Sequence, residues 1–122
     1  MESAGIKSRS RQRFEALERA NRVRVIRAEL KRGIAAGEVS AADVILLSRW
    51  EVHGMPVAEV LTSQRQWGNA RCRHILMPLH MHENKTIGSM TGRQRVALAA
   101  SLRAVAKSAG DRARASRGRR GR

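Results

Sequence analysis

The chain has 122 residues, which is enough for one domain with flanking segments but too few for several separate cores. Its 25 lysine and arginine residues outnumber its 10 acidic residues, and the formal net charge of +15 favours a polyanionic partner. The sequence contains no run of about 18 apolar residues of the kind that could span a membrane. We also expect no apolar secretory leader at the N-terminus.

Residues 1–10 and residues 11–36 differ in apolar patterning. The first ten are mainly polar or small and have no apolar period, which predicts a flexible basic arm. Over residues 11–36, apolar side chains recur mostly at three- and four-residue spacing, which predicts a long amphipathic helix. Its predicted buried face comprises Phe14, Leu17, Val23, Ile26, Leu30 and Ile34. Two ion pairs at helical spacing are expected on its basic faces, Glu15 with Arg19 and Glu18 with Arg22.

Two short helices should follow. Gly37 supplies a helix stop, and the spacing of Ser40 and Asp43 resembles a capping box, so a second helix is predicted over residues 41–50. Its buried side would hold Val44, Leu47 and Trp50, with Trp50 interpreted as a core residue rather than a base-stacking platform. Pro56 suits the first turn of a third helix. That helix should run through Leu61, with Val57, Val60 and Leu61 facing the core.

A turn and a fourth helix come next. Gly68 permits backbone angles that other residues avoid, and Asn69 is a favoured N-cap. A helix is therefore predicted over residues 70–77, with its free amides pointing outward. Pro78 should end or kink it. Trp67 is interpreted as an apolar plug of the turn rather than a wedge between bases.

A fifth helix and a basic tail complete the chain. Thr91 and Gln94 form a capping box for a helix to about residue 107. Its predicted core stripe is Val96, Leu98, Leu102 and Val105. Residues 109–122 are rich in arginine and glycine without an apolar period, which predicts a disordered tail. Such a tail neutralises phosphates or enters a narrow minor groove, but its composition also suits RNA. The tail candidates are Arg117, Arg119, Arg120 and Arg122.

Positive charge surrounds the two turns on either side of the fourth helix. A helix N-terminus attracts phosphate, and only Glu83 opposes the nearby basic residues, so the segment predicts a nucleic-acid clamp. Its candidate contacts are Arg65, Gly68, Asn69, Ala70, Arg71, Arg73, Lys85, Thr86, Gly88 and Arg93. The basic surplus of the long helix predicts a second, weaker DNA surface at Arg19, Arg22, Arg27 and Lys31.

Several short segments share their order and spacing with a known family. They are Glu15-Ala16-Leu17, Arg27-Ala28-Glu29-Leu30-Lys31, Met55-Pro56-Val57, the Gly68 turn, Ile87-Gly88 and Gly92-Arg93-Gln94-Arg95. Over roughly residues 13–105, the chain resembles the actinobacterial type of integration host factor, a small DNA-binding family with a helix-two-turn-helix fold. The first turn departs from the family's Gly-x-Gly-Lys type of sequence, because Gln66 and Trp67 replace its first glycine.

The resemblance implies an all-α fold. A long N-terminal helix precedes a compact helix-two-turn-helix bundle of short helices at about residues 55–105, within a domain over residues 11–108. It further implies an architectural, largely sequence-nonspecific protein that binds double-stranded DNA, bends or bridges it, and supports site-specific recombination such as phage integration. Cytoplasmic localisation at the nucleoid would follow. We expect a monomer or weak association, and no cofactor.

Two other functions are compatible with the sequence. An RNA-binding, ribosome-associated protein could use the same helix-two-turn-helix module, and a protein-interaction factor could present the long basic helix to an acidic partner. Cys72, His74, His80 and His82 include zinc-ligand types, but residues two apart on a helix point to different faces, so no metal site is expected. No catalytic arrangement can be assigned, and an enzyme is not expected. The single cysteine excludes an internal disulfide and is typical of a reducing compartment.

Overall fold

A computed structural model describes the backbone of residues 2–120 and the side chains of residues 8–115. The α-helices are α1 (Glu2–Ala35), α2 (Ala41–Leu47), α3 (Val57–Thr62), α4 (Asn69–Leu76) and α5 (Gly92–Arg120). Short 3₁₀ turns span Trp50–Val52, Met77–Leu79 and Ile87–Ser89. The described backbone contains no strand, only an isolated bridge between Pro56 and Thr86. The all-α prediction is therefore confirmed.

The core is formed by one face of each short helix and by the first half of α5. Helix α2 packs against α5, and α3 packs against α4. Its most deeply buried side chains include Ile45, Val57, Val60, Leu61, Cys72, Leu76, Ile87 and Leu98. The predicted core residues of α3 are thus confirmed, as are Leu98 and Leu102 of α5. Val96 is 62% exposed, so its inclusion in the stripe of α5 was wrong.

Local sequence signals fix four of the helix ends. The Ser40 side chain accepts a hydrogen bond from the Asp43 backbone N–H, and Thr91 and Gln94 cap α5 reciprocally at 3.0 and 3.1 Å. Gly37 has a positive φ of 77° after α1, as expected for a glycine helix stop. Helix α4 ends before Pro78, which lies in a 3₁₀ turn. These predicted boundaries are confirmed to within a residue or two.

Helix α2 is shorter than predicted because Ser48 adopts a left-handed conformation with φ of 46° and ends it. The next turn places Trp50 on the surface, where its side chain is 52% exposed. Leu47 is also exposed. The predictions that Leu47 and Trp50 belong to the core were therefore wrong. Trp50 lies beyond the end of α2, and Leu47 lies on the side of α2 away from the buried Ala41 and Ile45.

Helix α1 has two apolar faces rather than the single predicted stripe. Because each residue advances about 100° around a helix, the six-residue step from Leu17 to Val23 moves the pattern to the other side. Val23, Ile26, Leu30 and Ile34 face the body of the protein, where Ile34 is buried and the others are half-buried. Phe14 and Leu17 point to solvent. Their assignment to the core was wrong for this geometric reason.

The two ends of the chain also differ from expectation. Helix α1 begins at Glu2 and α5 continues to Arg120, where the sequence predicted a flexible arm and a disordered tail. Alanine and arginine are good helix formers, and the absence of an apolar stripe does not remove that local preference. All side chains from residue 106 to residue 115 are exposed, so this part of α5 projects beyond the core.

Candidate nucleic-acid interface

The first turn, residues 63–68, joins α3 to α4. Its residue with positive φ is Gln66, at 69°, whereas Gly68 has φ of −100° and ψ of −179°, an extended conformation open to any residue. Gly68 is also the N-cap, one position before the predicted Asn69, and no side chain caps this helix end. A Cβ atom at Gly68 would meet nothing within 4 Å. The conformational role predicted for Gly68 therefore belongs to Gln66.

The start of α4 faces solvent. Asn69, Ala70 and Arg71 are exposed, and they precede the first α-helical hydrogen bond, which the Cys72 N–H donates to the Gly68 carbonyl at 3.1 Å. Backbone amides before that bond have no partner within an ideal helix. The predicted outward-pointing helix end is consistent with this arrangement.

Trp67 connects the first turn to the core. Its side chain is partly buried against the hydrophobic core, as the plug interpretation predicts. The Arg71 guanidinium carbon lies 4.5 Å from the centre of the Trp67 ring. This cation–π contact restrains Arg71 without neutralising its charge. Trp67 therefore holds an exposed arginine in place at the helix start.

Helix α5 adds basic residues beside the first turn. Arg71, Ser108 and Arg112 line an open cleft of about 210 Å³ together with Ala104, Val105 and Ala109. No carboxylate lines this cleft. A second groove of about 500 Å³ brings Arg65 and Trp67 next to Arg103. We name Arg65, Arg71 and Arg112 the first-turn basic cluster, since Trp67 and α5 connect its members.

Arg103 and Ser108 were missed as site residues, and Arg112 was considered only as part of a disordered tail. Ser108 and Arg112 are four residues apart, and this spacing is the signal in the sequence that could have placed them on one face of a helix. Arg103 is partly neutralised, because its guanidinium lies 3.0 Å from a carboxylate oxygen of Asp43. Both side chains of that pair are exposed, so its contribution to stability is small.

The backbone of the second turn, residues 80–91, is hydrogen-bonded to the segment of residues 53–58. The Lys85 carbonyl accepts a hydrogen bond from the Val57 N–H at 2.7 Å, and the Gly88 N–H donates to the His53 carbonyl at 3.0 Å. Thr86 forms the isolated bridge with Pro56. A Cβ atom at Gly88 would approach the His53 Cβ to 2.8 Å. Thr86 and Gly88 therefore have internal roles, while the half-buried Lys85 side chain remains a candidate contact.

Two arginines near the second turn have partners within the protein. The Arg73 side chain lies 3.4 Å from a carboxylate oxygen of Glu83. A terminal guanidinium nitrogen of Arg95 donates a hydrogen bond to the Ile87 carbonyl at 3.3 Å, while its Nε is buried without a hydrogen-bond partner among the described groups. Arg93, in contrast, is exposed and forms no ion pair with the described side chains.

The two turns lie at opposite ends of α3. Lys85 and Glu83 accept hydrogen bonds from the N–H groups of Val57 and Ala58 at its start, whereas the first turn follows its last residue. A six-residue helix is about 9 Å long. The predicted candidate residues consequently fall into two groups separated by roughly that distance, rather than surrounding one point.

The residues of the second predicted surface, on α1, also fall into two groups. Arg27 donates to the Glu51 carbonyl at 2.9 Å, and Lys31 lies 2.6 Å from a carboxylate oxygen of Glu59. Both side chains tie α1 to the body of the protein. Arg19 and Arg22 are exposed instead and line an open groove with Glu15, Glu18 and Trp50.

The expected ion pairs of α1, Glu15 with Arg19 and Glu18 with Arg22, are not formed within 4.0 Å in the described part of the chain. In the tail, Arg117, Arg119 and Arg120 belong to α5 by their backbone, but their side chains lie outside the described residues. Arg122 lies outside them altogether.

Cys72 is a core residue. Burial raises the pKa of its thiol, and the negative charge of Glu83 raises it further while Arg73 acts in the opposite direction. The thiolate is therefore disfavoured at neutral pH. Among the side chains of residues 8–115, no three His, Cys, Asp or Glu groups lie close enough to hold a metal ion.

Comparison with known proteins gave no match, either to a protein-family model, to a curated protein or to a solved structure. No helix in the described part of the chain is long and apolar enough to cross a membrane.

Proposed function

We propose that the protein is an architectural DNA-binding protein that grips double-stranded DNA by its backbone phosphates, largely without reading sequence. The observation that carries this proposal is the first-turn basic cluster, in which Arg71 and Arg112 line one cleft without a carboxylate. Like charges repel, so two exposed guanidinium groups that share a cleft favour an anion between them.

The chemistry of the cluster suits phosphate. A guanidinium group offers several N–H donors in a planar fork that matches phosphate oxygens. Arg71 is restrained by the Trp67 ring, so less conformational freedom is lost when it binds. The hydroxyl of Ser108 and the first backbone amides of α4 are further donors beside it. None of these groups requires a particular base.

The sequence resemblance to actinobacterial integration host factors supports the same proposal. Under it, residues 55–105 form the helix-two-turn-helix module, and the protein organises the nucleoid and supports site-specific recombination. The exposed Arg19 and Arg22 of α1 are candidates for contact with a second DNA segment. Engagement of two segments would bend or bridge the DNA.

The test is a salt series with a duplex of random sequence. The Arg65→Ala/Arg71→Ala variant should weaken binding on every sequence alike, and should reduce the slope of log affinity against log salt by about 0.9 for each lost phosphate contact. Arg11→Ala, on the exposed first half of α1, removes a charge outside both candidate surfaces and is the control. A slope that is unchanged in the double variant, or a loss confined to one preferred sequence, would contradict the proposal.

Structured ribosomal RNA serves as competitor in the same experiment. It should displace the duplex weakly. Strong displacement would favour the ribosome-associated alternative, because that function needs a preference for RNA over duplex DNA. Binding to neither nucleic acid would leave the first-turn basic cluster without its proposed ligand.

A further inference from the structure

Helix α1 carries an apolar stripe that the body of the protein does not cover. Phe14, Leu17 and Val25 are 62%, 61% and 55% exposed, although each is large and apolar. With Asn21 they fall within about 80° of one another around the helix axis. The core-facing side chains of α1, such as Leu30 and Ile34, are centred about 180° away. The stripe therefore points directly away from the core.

Charged residues of opposite sign flank this stripe. Arg13 and Arg24 lie along one edge, and Glu18 and Glu29 lie along the other. None of these four side chains forms an ion pair within 4.0 Å inside residues 8–115. All four are exposed. Between residues 13 and 29, the positions closest to the stripe are therefore basic on one edge and acidic on the other, and Arg22 lies further round on the acidic side.

The sequence offset between the edges matches a parallel helix pair. Glu18 follows Arg13 by five residues, and Glu29 follows Arg24 by five residues. In a parallel two-stranded coil with heptad repeats, the residue just before the first core position of a heptad, position a, meets the residue five further along the other helix. Arg13 is such a residue when Phe14 takes that core position. An antiparallel pair would instead bring like edges together. The eleven residues from Phe14 to Val25 return to the same side of a nearly straight helix.

Asn21 occupies the centre of the stripe, between Leu17 and Val25. A single asparagine at a core position of a helix pair favours two parallel strands in one register, because each amide can then bond its equivalent. The stripe combines this asparagine with apolar residues on both sides.

We propose that α1 pairs with α1 of a second copy of this chain, in parallel and in register, through Phe14, Leu17, Asn21 and Val25. Arg13 and Arg24 of each copy meet Glu18 and Glu29 of the other. Because the core-facing side of α1 is opposite the stripe, the two bodies lie on the outside of the pair and do not collide. The contact is short, so association is weak and depends on concentration. The pair would present two first-turn basic clusters on one particle.

Sedimentation equilibrium of the protein without DNA tests this pairing. About 0.3 M salt limits repulsion between the two basic bodies, and the protein concentration should span roughly three decades. The average mass should rise toward that of a dimer. Leu17→Ser should shift the association constant at least about tenfold toward monomer. Val96→Ser, which changes an equally exposed apolar residue on α5, is the matched control and should leave association unchanged.

A charge exchange tests the parallel register. Glu18→Arg should weaken association, because it places two arginines together at each edge, and Arg13→Glu combined with Glu18→Arg should restore it. Circular dichroism of each variant checks that the helix is retained. A monomer at every concentration, or a double variant that fails to recover while remaining helical, would overturn the proposal. DNA takes no part in these measurements, so their outcome is independent of the proposed DNA binding.

Discussion

The first and second turns have similar sequence character but different uses in the structure. Both contain basic residues and glycine, and both were predicted to contact a ligand. At the first turn, Arg65 and Arg71 are exposed, and the described side chains offer them no carboxylate partner. At the second turn, Gly88 and Arg95 are hydrogen-bonded within the protein. Positive charge is available to a ligand only where folding leaves it without a partner inside the protein.

The largest expected effect is a difference in the free energy of unfolding between a glycine variant of the second turn and a glycine variant of the first. Gly88→Ala forces a Cβ atom to within 2.8 Å of the His53 Cβ and 3.2 Å of its Cα, so it should lower the free energy of unfolding by about 1–3 kcal/mol. Gly68→Ala meets nothing and needs no unusual φ, so it should change that free energy by less than about 1 kcal/mol. Urea denaturation of both variants measures the difference. Equal effects would mean that the second turn is not held as described.

A smaller effect should distinguish the two arginines at the start of α5. Arg95→Met removes the hydrogen bond to the Ile87 carbonyl and should cost about 1 kcal/mol of stability. Arg93→Met alters an exposed side chain and should cost less than about 0.5 kcal/mol. Thermal denaturation compares them. Loss of stability in Arg93→Met alone would contradict the assignment of Arg95 to the fold.

The smallest effect concerns Cys72, on α4 between the two turns. The pKa of its thiol is raised in the folded state, so the protonated thiol contributes to the stability of the fold. This contribution to stability is complete below the ordinary thiol pKa of 9.0 and is lost as the pH rises through the folded-state pKa. Stability should therefore decrease slightly in alkaline solution. Cys72→Ala, measured across the same pH range, removes the titrating group and corrects for the titration of other residues.

Thiol labelling gives an independent check on Cys72. A maleimide reagent should react slowly with the native protein at neutral pH and rapidly in denaturant, because the folded thiol is buried and protonated. Rapid labelling of the native protein would show that α4 opens readily between the turns.

Much of the helical architecture could be predicted from short segments. The Thr91 and Gln94 capping box, the Gly37 stop and the Pro78 break depend on neighbours within a few residues. Those contacts need no residues from elsewhere in the chain. The core face of α3 followed from spacing, as did Leu98 and Leu102 of α5, whereas the same spacing wrongly included Val96.

The candidate site was less predictable. Arg71 and Arg112 are far apart in the sequence, yet they line the same cleft. Only the packing of α5 beside α4 brings them together. Arg27 and Lys31 were expected to face DNA, yet Glu51 and Glu59, distant in sequence, engage them. Composition records the number of charges but not their partners.

The sequence alone determined that this protein is helical and strongly basic, and that its helices begin and end at particular caps and breaks. Backbone hydrogen bonding and apolar spacing act over a few residues, so these features needed no knowledge of the fold. Only the tertiary structure decided that Trp50 and Phe14 face solvent, that the backbone of the second turn is hydrogen-bonded to residues 53–58, and which arginines have no acidic partner among the described side chains. Burial and ion pairing depend on groups that folding brings from elsewhere in the chain, and that long-range proximity is not written in local spacing.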